Sequence, residues 1–273
     1  MNLHGSSQST HLAKETVLAL SLLLLLLQPG VCSIDGNSTP SIMTADMVVQ
    51  QLMAANSRRA EELRSYRGLR HYHLEYHGFL GSHVADMDVE ATYTAPDKKQ
   101  FRVISHTGSN LLYNRVLLNL LSSEQEAQQE KVRKELEISP ANYSFKLDGD
   151  QSAHCYCYVL DLTPKSKNKY VYRGKIWVDA RDFAVERMQG EPAQKPSFWV
   201  SHTIVQFDWQ KIGEFWLSAR NQSVTDVRLG GDAKLTIEYG NYQVTAANPG
   251  TMNPASTAHQ TVPDPGSMSA DPH

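Results

Sequence analysis

KYVYRGKIWVDARDFAVERMQGEPAQKPSFWVSH, residues 169–202, is the stretch whose reading decides the fold. Tyr170 to Val178 reads as one extended run, the polar corner Asp179-Ala180-Arg181-Asp182 turns it, and Phe183 to Met188 reads as a second. Gly190-Glu191-Pro192 breaks the pattern, and Ser197 to Trp209 opens a third strand. Corners this short leave no room for a crossover helix, so the strands form an antiparallel meander. Tyr170, Tyr172, Ile176 and Val178 share one face of the first strand, with Trp177 opposite. No nucleophile elbow, phosphate loop or metal-ligand spacing interrupts the run.

The wording from Tyr172 to Val185, YRGKIWVDARDFAV, is followed by Pro192 and by Lys195-Pro196-Ser197-Phe198-Trp199. It resembles the outer-membrane lipoprotein-sorting proteins of the LolA-like family, over about Thr44 to Thr245. The resemblance implies an α+β fold: a curved, incompletely closed antiparallel half-barrel with helices covering its concave face. It also implies that relatives hold acyl chains there, without a catalytic signature.

Composition narrows the function classes. The chain has 273 residues, a formal net charge of -3 and a pI near 6.4, with no basic stripe of the kind nucleic-acid binders show. Val17 to Leu27 is apolar apart from Ser21, too short for a bilayer span of about 20 residues and suited to a secretory signal. Residues 1–33 are therefore read as a signal peptide and 34–43 as a lead-in. Residues 44–246 form one domain, and the Pro-, Ser- and Thr-rich 247–273 a disordered tail. The expected location is periplasmic or secreted, with lipidation of Cys32 as the alternative. Cys155 and Cys157 lie two apart on an expected strand, which sets their Cα atoms about 6.5 to 7 Å apart, so no bridge is expected.

Along the chain, Thr44 caps a predicted helix over Ala45 to Tyr66, with Met47, Val48, Leu52 and Leu63 as its apolar stripe. Strands follow at Tyr66–Phe79, Val84–Tyr93 and Gln100–Ser105. Ser109–Leu136 then reads as a helix with an apolar first half, Leu112, Val116 and Leu120 among its residues, and a polar second half. Further strands at Asn142–Phe145, Ala153–Leu162, Glu214–Val227 and Ala233–Val244 bring the total to about ten, a number at which open sheets curl.

Chemistry has few places to reside. His71-x-His73-x-Glu75-x-His77 puts four polar side chains on one strand face, but His71 and His77 are about 20 Å apart by strand rise. A solvated face with no stoichiometric metal and no cofactor is expected, a metal-dependent hydrolase on His71 and His73 being a minor alternative. Asp148-Gly149-Asp150 lacks the rest of a calcium loop and reads as a turn. Asn37, Asn142 and Asn221 fit the glycosylation triplet. The large apolar residues Trp177, Trp199, Phe207, Trp209 and Phe215 on neighbouring strands exceed what a flat sheet needs, and either fill a core or line a cavity. With Leu112, Val116 and Leu120 they form the expected ligand-binding set. The function expected is a non-enzymatic, monomeric carrier of lipoprotein acyl chains or lipid, exchanging cargo with membrane-bound donor and acceptor proteins. A periplasmic sensor or interaction module of the same fold is the alternative.

Overall fold

The structure, a computed structural model, describes residues 43–79, 81–148, 155–168, 170–195, 200–228 and 230–247. The residues read as a signal peptide, Cys32, the Asp148-Gly149-Asp150 turn beyond Asp148, Trp199 and the stretch read as a C-terminal tail, from residue 248 on, lie outside them. No helix among the described residues is long and apolar enough to cross a membrane.

Among the described residues there are ten strands: β1 (Leu63–Gly78), β2 (Gly81–Thr94), β3 (Lys98–Gly108), β4 (Tyr143–Leu147), β5 (Cys157–Pro164), β6 (Tyr172–Asp179), β7 (Val185–Pro192), β8 (Val200–Ile212), β9 (Phe215–Val227) and β10 (Gly231–Ala246). They form one antiparallel sheet in the order β3-β2-β1-β10-β9-β8-β7-β6-β5-β4, curved and unclosed. The meander read from residues 169–202 is its β6-β7-β8 portion. The central seam joins the first strand to the last, with Leu63 opposite Ala246 and Gly78 opposite Gly231.

Residues paired directly across an antiparallel ladder point to the same face. One row runs Met87, Tyr72, Ile237, Asn221, Phe207, Met188, Ile176, Leu160, Leu147 across nine strands, and it is apolar except at Asn221. The opposite face carries Asp88, His71, Glu238, Arg220, Asp208 and Arg187 in sequence, mostly alternating in charge. Arg187 Nε donates to Asp208 Oδ1 at 2.6 Å within that row. The sheet therefore has one dry face, which the helices cover, and one wet face.

The first helix, α1 (Ala45–Glu62), starts where Thr44 accepts from the Met47 amide at 3.3 Å. Its buried stripe is Val48, Val49, Leu52 and Ala55, and it packs on Leu160, Leu162, Ile176, Val178 and Met188 of β5 to β7. Each fully buried Val or Leu contributes roughly 1.5–3 kcal/mol, which holds a helix that would be marginal alone. Met47, expected in the stripe, is exposed, and the helix ends four residues before the predicted Tyr66. Pairing wins there, because Leu63 to Tyr66 find partners on β10 and β2.

The second helical stretch differs more from its prediction. It consists of α2 (Asn110–Leu112), a π turn (Tyr113–Leu117), α3 (Leu118–Glu126) and, after a break, α4 (Glu130–Leu136). Asn114 and Asn119 side chains donate to the carbonyls of Asn110 and Arg115, competing with the regular ladder through the widened turn. Leu112, Leu117 and Leu121 seal Tyr72, Leu74, Ala85, Met87, Val89 and Ile237. The segment carries the chain from β3, one edge of the sheet, to β4, the other.

The cysteine expectation is corrected. Cys155 and Cys157 form a disulfide with Cα atoms 5.3 Å apart. Cys155 lies in a bend before β5 begins at Cys157, so the extended spacing that argued against a bridge does not apply.

Candidate functional site

The two helical covers leave a strip of the dry face between them, where β8 and β9 run. Two adjoining cavities open there and share Trp209, Trp216 and Leu217 as their common wall. One, of about 300 Å³, lies under the end of α1 and is lined by Ala60, Leu63, Ile138, Val185 and Phe215. The other, of about 230 Å³, lies toward α3 and is lined by Arg70, Lys99, Glu124, Asn221, Tyr239 and Tyr242. An apolar chamber thus meets a polar one.

The polar chamber is built around an arginine on the dry face. Position 70 belongs to the inward row of β1 with Tyr72 and Leu74, and Arg70 is 5% exposed. Its Nη1 donates to Glu124 Oε2 at 2.6 Å and its Nη2 to Glu124 Oε1 at 3.1 Å, a two-pronged pair with α3. The guanidinium also lies 4.9 Å from the Phe101 ring centre and 5.0 Å from that of Tyr239. Lys99 of β3 reaches the same Glu124 carboxylate. Burial works against the Arg70 charge, but the Glu124 bonds outweigh it and push its pKa above the ordinary value. Burial likewise opposes the Glu124 charge, yet Lys99 and Arg70 hold its carboxyl below the usual range. Burial raises the hydroxyls of Tyr239 and Tyr242, so both remain neutral donors. Two cations and one carboxylate leave the chamber one positive charge in excess.

Local sequence places these groups. Gly68 stands at a bulge in β1, where an added Cβ would lie 2.8 Å from the Tyr242 ring, so only glycine lets that ring cross the strand. The Tyr242 hydroxyl then donates to the Ser218 carbonyl at 2.9 Å. A second bulge at Asp208/Trp209 swings Trp209 into the shared wall. On the far side, Arg59 of α1 donates to the carbonyls of Asp182 and Phe183, each at 2.9 Å. Phe183 has φ 47°, in the left-handed region, and this corner is held by those bonds. Burial would raise the Asp182 carboxyl, but its bonds from Lys211 at 2.7 Å and Trp216 Nε1 at 3.0 Å keep it low. Trp216 is thereby locked in the wall.

The residues expected to bind ligand separate into groups. Trp209 and Phe215 line the apolar chamber. Phe207 sits beside it, 6.2 Å from Trp209 by ring centres, and packs edge-on against Tyr172 at 5.4 Å. Leu112, Val116 and Leu120 belong to the sealed core under α2 and α3 and line neither cavity. Trp177 pairs with Arg187 and stands on the wet face, lining neither cavity; strand alternation put it there once Ile176 and Val178 turned inward. Trp199 falls outside the described residues. Arg70, Lys99, Glu124 and Trp216 were missed. The available signal was an arginine at an inward position of an otherwise apolar alternation. Asn221 also faces the chamber, donating to the Tyr239 hydroxyl at 2.7 Å, while Asn142 is occupied with the carbonyls of Lys134 and Glu137.

No family model and no curated protein matches the chain. Solved structures do. A DUF1329 family protein from Desulfovibrio piger is 14% identical over 76% of this chain and 95% of its own, with a TM-score of 0.38. An outer-membrane lipoprotein-sorting protein domain from Vibrio parahaemolyticus is 10% identical over 73% of this chain and 93% of its own, also at 0.38. A LolA superfamily protein from Nitrosomonas europaea is 11% identical over 78% of this chain and 98% of its own, at 0.31.

Proposed function

We propose that the protein is a non-enzymatic carrier that holds one amphipathic lipid, or the acyl part of a lipoprotein, on the dry face between its two helical covers. The supporting observation is the pair of adjoining chambers, one apolar and one charged, separated only by Trp209, Trp216 and Leu217. An alkyl tail under α1 gains about 0.8 kcal/mol per CH₂ removed from water. A head bearing carboxylate or phosphate meets Arg70, Lys99 and the hydroxyl of Tyr239, where the excess positive charge favours an anion. The α3 cover is tied to the sheet through Glu124, which competes with such a head for Arg70. Uptake therefore loosens the cover, and release lets Glu124 return, so transfer follows the difference in affinity between donor, carrier and acceptor. Export through the Val17–Leu27 stretch belongs to the same proposal and sets the exchange at a membrane surface outside the cytoplasm.

Native mass spectrometry of protein purified without detergent tests the reading, together with displacement of a fluorescent fatty acid. A co-purifying lipid mass is expected, as is probe binding that Leu63→Arg abolishes in a still-folded protein. A chain that carries no lipid and ignores both the anionic probe and its neutral alcohol refutes it.

A further inference from the structure

The wet face carries a second constellation that the chambers do not use. β1 points His71, His73 and Glu75 outward and β2 points Asp86 and Asp88 outward, His71 pairing with Asp88 and His73 with Asp86. Asp86 Oδ1 lies between the rings, 2.6 Å from His73 Nδ1 and 3.6 Å from His71 Nε2. The other nitrogen of each ring meets a different carboxylate: His71 Nδ1 is 2.8 Å from Asp88 Oδ1, and His73 Nε2 is 2.9 Å from Glu75 Oε1. Ser105 of β3 steadies Asp88 with a 2.6 Å bond from its hydroxyl.

A neutral imidazole has one N–H and one lone pair, and a carboxylate that takes the N–H fixes which nitrogen can bind an ion. With His71 Nδ1–H directed at Asp88 and His73 Nε2–H directed at Glu75, the free lone pairs are His71 Nε2 and His73 Nδ1. Both converge on Asp86 Oδ1. The three donor atoms lie within 4.8 Å of one another. A tetrahedral ion with bonds of about 2.0–2.1 Å holds its donors about 3.3 Å apart, so side-chain adjustment alone closes the triangle. Glu238 of β10 stands opposite His71 and adds negative field, Lys234 opposite Glu75 partly offsets it, and the neutral Thr236 and Thr107 complete the surround.

We infer that His71, His73 and Asp86 form a surface site for a divalent first-row transition cation, with Zn²⁺ the best match. Two imidazoles and a single carboxylate suit a borderline cation and disfavour Ca²⁺ and Mg²⁺, which take mostly oxygen ligands. Water fills the fourth position. Asp88 and Glu75 are positioning residues. The alternating histidines alone suggest only a solvated strand; the cross-strand carboxylates of β2, placed by register, are what make them a ligand set. The inference is independent of the carrier reading.

Calorimetric titration of the untagged full chain with ZnCl₂, and of the same protein with Co²⁺ followed by visible absorption, tests it. One equivalent should bind, and the Co²⁺ spectrum should report four-coordination. His71→Ala, His73→Ala and Asp86→Asn should each abolish it. Asp88→Asn, which removes no ligand, should weaken it about tenfold or more. His77→Ala, on the same strand face outside the triangle, should leave it unchanged. A folded wild-type chain that takes up no Zn²⁺ overturns the inference. So does stoichiometric binding that survives the double replacement of His71 and His73.

Discussion

Replacing Glu124 by Gln keeps the side-chain shape and removes the only carboxylate that touches Arg70 among the described residues. Arg70 is 5% exposed, so its charge would be left in a largely dry place with two aromatic rings for company. Each charge-assisted hydrogen bond of this kind is worth about 1.5–3 kcal/mol, and breaking a fully buried pair costs about 3–5 kcal/mol. Glu124 itself is 29% exposed, so water partly replaces it, and the expected loss is about 2 kcal/mol. For a domain of this size that lowers Tm by about 4–8 °C at neutral pH. The sign with pH is fixed by the lowered Glu124 pKa. Its contribution is complete above the unfolded carboxylate value of about 4.3 and is lost as pH falls through the lower folded value. Scanning calorimetry of both proteins should therefore show the gap at pH 7 and its collapse in strong acid. Adding Arg70→Met to Glu124→Gln should recover part of the loss, since the buried charge goes too. Equal melting at neutral pH, or a gap unchanged in acid, would refute the reasoning.

Three further outcomes follow from the packing. Leu52→Ala empties a fully buried site between α1 and the sheet and should cost about 3 kcal/mol in urea unfolding, with the slope m unchanged. Trp209→Ala should weaken binding of a fluorescent fatty acid severalfold, whereas Trp177→Ala, on the opposite face, should leave it as it was. Arg59→Ala removes both bonds to the β6–β7 corner, and hydrogen exchange at residues 179–184 should quicken while β1 to β3 stay protected.

Period-two alternation made the strands legible. It placed all ten within a few residues of their limits and correctly set Trp177 against Ile176 and Val178. What alternation does not carry is which strands meet at long range. Nothing in residues 63–78 names residues 231–246 as their partner, so the seam between β1 and β10 was hidden. The site suffered for the same reason. Arg70 looks like an interruption of the Tyr72, Leu74 pattern until Glu124, far along the chain in a polar helix, is brought to it. The Leu112, Val116 and Leu120 stripe was visible as apolar helix surface, but a stripe does not say whether the space beneath it is full, and here β1, β2 and β10 fill it. The cysteine pair failed on a boundary: a strand expected from Ala153 starts only at Cys157, which changed the spacing that decided the question.

The seam between the first and last strands bears on how such a chain reaches its native state. A nascent polypeptide that has delivered β1 to β9 still lacks the strand that joins its two halves, so each half must wait with an unpaired edge while the remainder is made. Loop closure across most of the sequence then precedes the reward, which predicts slow folding and a premium on chaperones that mask the waiting edges.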